Sequence, residues 1–395
     1  MDSLAPSDNV VLREALAAQL LGRVADSLDI TPTQFARAKQ AYETISEVAT
    51  NSSDPRLTSA KVFPQGSFAI GTVIRPADNE DGEFDVDLAC RLFATTSLSP
   101  FVAKRLIGDQ LAADARYAHK LKEKPRCWRV NYEGDFHLDI CPLVLADQSD
   151  AIPDKELARW ILTHPEAYAA WFNELANRAR TRVLNERVVM KAEVVPFPDE
   201  NPDKGWLRRL VQLLKRHRCL WCQRAGEQSD FAPISIILTT LAARSFEREI
   251  NAGRQFANPY ALMQRVIAGM PDGIEQRLVD GQQQWWVQSP VAAENFANRW
   301  NEDRRWAEAF ADWHQDALAN VHRLIAVTGL DGARPLLEHS FGAIASTKAI
   351  KAYAEAATTA RDTGKLRFVP TAGGLITTSS AVAGIAVPRH TFFGD

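Results

Sequence analysis

The stretch Glu83-Phe84-Asp85-Val86-Asp87-Leu88 alternates residue by residue, with apolar Phe84, Val86 and Leu88 separated by Asp85, Asp87 and then Ala89. Side chains on a β-strand point to opposite faces with a period of two, so the pattern predicts a half-buried strand with both aspartates on its other face. Residues two apart on a strand have Cα atoms roughly 6 to 7 Å apart. Their carboxylates can therefore converge on a pair of divalent ions about 4 Å apart. An all-oxygen donor set suits Mg²⁺, with Mn²⁺ as its nearest substitute. Surface strands also alternate apolar and acidic residues without binding anything, so Asp-x-Asp alone is a weak signal.

Downstream, Asp135-Phe136-His137-Leu138-Asp139-Ile140-Cys141 repeats the alternation, with Phe136, Leu138 and Ile140 inward and His137 and Asp139 on the opposite face. The Asn131-Tyr132-Glu133-Gly134 turn divides the strand-like run from Trp128 to Val144 and predicts an antiparallel hairpin. Three carboxylates around two metals suit phosphoryl-type transfer. The ions bind a triphosphate, stabilise charge on the leaving pyrophosphate and acidify an attacking hydroxyl, which Asp139 would sit nearest. His137 itself reads as a hydrogen-bonded strand histidine.

Upstream, Gln65-Gly66-Ser67-Phe68-Ala69-Ile70-Gly71-Thr72 follows a short strand beginning at Lys61. Gly66 lets backbone approach phosphate, and Ser67 offers both a hydroxyl and an N–H. No Gly-x-x-x-x-Gly-Lys-Ser/Thr occurs and the pattern is not a dinucleotide-binding fingerprint, so kinase and dehydrogenase readings fall away.

Gly-Ser, about eighteen residues, Asp-x-Asp and a third Asp on a later strand together resemble the DNA polymerase β-like nucleotidyltransferase superfamily. A narrower resemblance lies further on. The helix predicted from Trp206 towards Arg224 puts Leu207, Leu210, Val211, Leu214 and Trp221 on one stripe, with Lys215 at its edge. Spacing alone reads Lys215 as a snorkelling lysine among Arg208, Arg209, Arg216 and Arg218. Lys215 followed by Ser235 in Pro233-Ile234-Ser235-Ile236, and later by Ser289-Pro290-Val291-Ala292-Ala293-Glu294-Asn295-Phe296, resembles the cGAS/DncV-like nucleotidyltransferases, or CD-NTases. That resemblance implies that Gly66, Ser67, Lys215 and Ser235 hold a donor nucleoside triphosphate, ATP or another such as GTP. It assigns two Mg²⁺ ions to Asp85 and Asp87, with Asp139 serving the acceptor. It also implies a cyclic di- or trinucleotide second messenger in anti-phage (CBASS) defence, with an operon-encoded regulator or conjugation machinery as partner. A linear oligonucleotide synthase or a transferase acting on RNA or protein is the runner-up, and a nucleotide-binding regulator without catalysis is third.

The implied fold is α/β and bilobal. Residues 1–165 would form a mixed-sheet catalytic core with N-terminal bracing helices, and residues 166–395 an α-helical lobe with a flexible C-terminal tail. Asn9 to Leu28 reads as helix, Thr31-Pro32-Thr33 starts a second one, and the proline-containing run from Glu193 to Lys204 reads as a crossing loop. From Asp154 onward helical periodicity is expected to dominate, with Trp160, Tyr168, Trp171 and Leu175 packing. No packed pattern is assigned to the Gly-, Ser- and Thr-rich run from Thr371 to Ala386.

A net charge of −3 supplies no field for holding polymeric nucleic acid, which favours a small phosphate ligand over general nucleic-acid binding. No run approaches the ~18 to 20 apolar residues of a membrane span and no leader is evident, so a cytoplasmic protein without a membrane partner is expected. Five scattered cysteines read as reduced thiols, Cys219 and Cys222 as helix thiols rather than a zinc site. Trp285 and Trp286 read as packing residues. The end, Phe392-Phe393-Gly394-Asp395, departs from the small terminal residue usual in conjugated CD-NTases.

Overall fold

The computed structural model describes residues 8–77, 83–146, 149–183, 204–254, 256, 258–327, 329–364, 366–369, 374–377 and 385–387. Its helices are α1 (Asp8–Ser27), α2 (Pro32–Thr50), α3 (Pro55–Thr58), α4 (Gly66–Ala69), α5 (Pro100–Ala112), α6 (Pro165–Val183), α7 (Gly205–Arg224), α8 (Ser235–Asn251), α9 (Pro259–Ala268), α10 (Asn298–Glu302), α11 (Arg305–Ala326), α12 (Gly329–Phe341) and α13 (Ala343–Asp362). The strands are β1 (Lys61–Pro64), β2 (Phe84–Thr95), β3 (Leu121–Glu123), β4 (Trp128–Tyr132), β5 (Phe136–Ala146), β6 (Ser149–Pro153), β7 (Trp160–Thr163), β8 (Glu275–Val279), β9 (Gln282–Trp286), β10 (Leu366–Val369), β11 (Gly374–Thr377) and β12 (Ile385–Ala386).

These elements fall into two compact units whose segments interleave along the chain: 29–208 with 286–297, and 1–28 with 209–285 and 298–395. This differs from a single cut at residue 165. The first helix belongs with the second unit because α1 packs on α13, α9 and α11, burying Leu20, Leu21, Val24 and Leu28.

The sheet unit is built on the order β1-β2-β5-β4-β3, with β6 pairing β5 and β7. Strands β2 and β5 run parallel and their other pairings are antiparallel, giving the expected mixed sheet. The alternation in β2 works as its pattern requires, since Phe84, Val86 and Leu88 are buried in the core with Phe136, Leu138 and Ile140 of β5. Helix α2 covers this face with Ala38, Ala41, Ile45 and Val48, spaced three or four apart on one side of the helix. Its start is fixed by a capping box: Gln34 N donates to Thr31 Oγ1 at 3.1 Å and Thr31 N to Gln34 Oε1 at 2.9 Å, worth about 1 kcal/mol.

Helix does not dominate from Asp154 at once. Trp160 lies on β7 rather than on a helix; its ring packs against the core and its indole N–H donates to Leu98 O at 2.8 Å. Helix begins at Pro165, whose fixed φ suits the first turn.

In the helical unit, the α7 stripe is buried as expected at Leu210, Val211, Leu214 and Trp221. Helix α11 turns Phe310, Trp313, Ala317, Val321 and Leu324 inward, and the hydroxyl of Tyr260 on α9 donates to Val321 O at 3.0 Å. The Thr371 to Ala386 run is not without pairing: β11 and β12 flank β10, both antiparallel. Strands of two to four residues set among Gly, Ser and Thr are too short for a period of two to mark them. The Glu193 to Lys204 loop, apart from Lys204, and the final residues Phe392 to Asp395 lie outside the described residues.

Candidate active site

Parallel pairing of β2 with β5 sets Asp87 beside Asp139 and Asp85 beside His137. Because side chains alternate across the pleat, all three aspartates emerge on the face opposite the buried phenylalanines. The hairpin of β4 and β5, whose turn contains Gly134 at φ 71°, pairs Arg129 with Asp139. Gly66 enters next to them: Gln65 N donates to Asp87 O at 2.8 Å, and a Cβ at Gly66 would lie 2.6 Å from Asp87 Oδ2. Gly66 is exposed and adopts φ 60°, a left-handed backbone that favours glycine. Ser67 follows it, and its carbonyl accepts from Thr72 N at 2.9 Å.

Arg129 is the residue that reading the sequence missed. Its Nε donates to Asp139 Oδ1 at 2.6 Å and its Nη2 to Asp139 Oδ2 at 2.8 Å, while Nη2 also reaches Asp85 Oδ1 at 3.2 Å. The guanidinium is held charged, its pKa raised chiefly by the bonds to Asp139. The signal was in the sequence: a hairpin turning around Gly134 brings Arg129 opposite Asp139, with Val130 facing the core.

The neighbouring groups restrict what these carboxylates could hold. Burial, reinforced by the charges of Asp139 and Asp87, pushes the Cys127 thiol up to about 12. On the face of the three aspartates the donors are carboxylate oxygens, the ligands that Mg²⁺ and Mn²⁺ prefer. His137 is engaged elsewhere, with Nε2 at 2.7 Å from Glu83 Oε2. Among the described residues no three acidic, histidine or cysteine side chains are already gathered around one point. The positive charge amid the carboxylates is that of Arg129. Oxygen donors, a shared face and an existing cationic partner fit a divalent ion, which would compete with that guanidinium.

The segment carrying Ser289 to Phe296 belongs to the sheet unit. Asn295 Oδ1 accepts from Val287 N and Ala297 N, each at 2.9 Å, and Phe296 packs edge-on against Tyr168 at 6.2 Å between centroids. Within the sheet unit, Arg208 Nε donates to Ile70 O at 3.0 Å and Nη2 to Asn173 Oδ1 at 2.9 Å. Lys215 and Ser235 lie in the helical unit, Lys215 half-buried on α7 and Ser235 in the first turn of α8. Arg218, one turn beyond Lys215, donates to Pro233 O at 3.3 Å, two residues before Ser235. Cys219 and Cys222 lie on α7 and form no disulfide. Among the described residues no helix is long and apolar enough to cross a membrane.

Residues 16–176 match the Second Messenger Oligonucleotide or Dinucleotide Synthetase domain. Over 384 residues, covering 95% of this chain and 96% of the relative, the chain is 27% identical to a c-di-GMP synthase of Roseivirga ehrenbergii. Its fold resembles that of the Bradyrhizobium diazoefficiens CD-NTase CdnG, solved in complex with GTP, with a TM-score of 0.65 at 19% identity over 86% of this chain and 99% of that one. The E. coli MS115-1 CdnC, solved in complex with HORMA-deltaN, gives 0.59 at 14% identity over 84% and 98%. An aspartate-bearing mixed sheet, a glycine loop against it and these likenesses agree: residues 16–176 carry a Second Messenger Oligonucleotide or Dinucleotide Synthetase domain, in a chain similar over nearly its whole length to a c-di-GMP synthase and similar in fold to CD-NTases.

Proposed function

We propose that the chain is an Mg²⁺-dependent synthase that joins nucleoside triphosphates into a cyclic dinucleotide and releases pyrophosphate, acting in the cytoplasm in anti-phage defence. GTP is the first substrate to try, because the relative aligned over nearly the whole chain is a c-di-GMP synthase. The observation that carries the reading is the register that sets Asp87 beside Asp139 with Gly66 against Asp87. Magnesium bound there would neutralise the triphosphate and acidify a ribose hydroxyl.

The chain's own residues supply position and charge. Gly66 and Ser67 approach the donor phosphates, and Asp139 faces the acceptor. The acceptor oxygen bonds to the α-phosphorus, the bond to pyrophosphate breaks, and the hydroxyl proton leaves on the Asp139 side. A second such transfer within the linear dinucleotide closes the ring. An operon-encoded regulator completes the proposal, in line with the CdnC structure.

Incubation with each nucleoside triphosphate and Mg²⁺, followed by phosphatase and chromatography, tests this. A phosphatase-resistant product with two phosphates per two nucleosides is expected. Only linear, phosphatase-sensitive products would overturn the cyclase reading in favour of a linear synthase.

A further inference from the structure

We infer that Arg129 is a positioning residue with two separable tasks: it fixes the Asp139 carboxylate and it reserves Asp85 until a divalent ion displaces it. The inference rests on the proposed metal role of the aspartates. Its basis is the inequality of the contacts. The fork onto Asp139 has two bonds, 2.6 and 2.8 Å long, to a carboxylate with 17% of its side chain exposed. The reach to Asp85 is a single bond of 3.2 Å to a side chain that is 61% exposed. Bidentate, charge-assisted pairs that exclude water are the strong ones, and exposed single contacts are worth little. An arriving cation therefore takes Asp85 from Arg129 and leaves the fork in place. The pairing of β4 with β5 keeps Arg129 opposite Asp139 throughout. Arg129 touches carboxylates rather than any reacting atom, so it acts through them.

The consequence is that Arg129 weakens ion binding when no nucleotide is present, by competition for Asp85 and by the charge it places beside the site. Titration of the nucleotide-free, full-length protein with Mn²⁺ alone, followed by electron paramagnetic resonance, reads this. Arg129→Met is expected to bind Mn²⁺ about fivefold more tightly than wild type, the size expected for removing one nearby charge in a solvated site. Arg129→Lys keeps the charge and is expected to bind within about twofold of wild type. A merely structural role for Arg129 would move both variants towards weaker binding.

A wild-type measurement covers the case of a variant that does not fold. In ¹⁵N-arginine spectra of the wild type, Mg²⁺ is expected to shift the Arg129 Nη signals while the Nε–H stays protected from exchange. If wild type binds Mn²⁺ and Arg129→Met binds equally or more weakly, or if the Arg129 signals ignore Mg²⁺, the inference is overturned and the metal reading stands. If wild type binds no Mn²⁺, the metal reading itself is overturned, and the inference with it.

Discussion

Asp87 occupies the space that a side chain at position 66 would need, its Oδ2 lying 2.6 Å from where a Cβ on Gly66 would stand. With φ at 60°, the position penalises any other residue twice, once through the backbone and once through the carboxylate. Gly66→Ala is expected to cost about 1 to 3 kcal/mol of stability from the backbone. Displacing Asp87 should lower turnover by about a hundredfold. Thermal melts and initial rates check the two effects separately, and a variant with normal turnover would show that the loop does not set Asp87.

Asp87→Asn tests the carboxylate without changing its shape. Asp87 is only half-buried, so the fold should be retained. Activity should fall at least about 10³-fold, since several kcal/mol of charge stabilisation disappear. Circular dichroism alongside pyrophosphate release makes the comparison, and loss of less than tenfold would argue against Asp87 as an ion ligand.

Arg129 is further held in place by what lies under the neighbouring residue. The Trp128 indole donates to Lys104 O at 2.8 Å, and a Cβ at Gly108 on α5 would collide with its ring. Gly108→Ala must therefore push Trp128 aside, at a cost of about 1 to 3 kcal/mol by overpacking. A lowered denaturation midpoint and a changed tryptophan emission are expected. Unchanged values of both would contradict this packing.

In the helical unit, pH acts through His217. Burial lowers its pKa to about 4, against the opposing pull of Asp316. Asn320 Nδ2 lies 3.1 Å from Nε2, and among the described residues Nδ1 has no hydrogen-bond partner. The imidazole is neutral in the fold but takes a proton near 6.5 when the chain unfolds. Its contribution is therefore complete above pH 6.5 and is lost as the pH falls towards about 4, about 3 kcal/mol in all. His217→Leu should flatten that slope in urea midpoints measured at pH 7 and pH 4.5, and an unaltered slope would contradict it.

The parts legible in the sequence were those with local rules. Alternation disclosed β2 and β5, Gly134 the hairpin, Thr31 and Pro32 the start of α2, and helical spacing the buried stripe of α7. What was missed depends on short elements and on pairings that residue type alone does not mark. Strand β7 spans only Trp160–Thr163, too short for alternation to show before Pro165 starts a helix. The strands from Leu366 onward are only two to four residues long, too short for a pattern to show, and nothing local says that α1 packs with α13. Arg129 looked like any strand arginine until the register set it against Asp139. The resemblance named the aspartates and the glycine loop, but not the cation that holds two of the carboxylates.

Mass spectrometry of the product made from GTP and Mg²⁺ by wild type and by the Asp85→Asn/Asp87→Asn variant tests most directly whether the aspartates carry out cyclic dinucleotide synthesis. A cyclic dinucleotide, two nucleoside monophosphates joined with loss of two waters, is expected from wild type and none from the folded variant. A linear product from wild type, or the same cyclic product from both proteins, would contradict it.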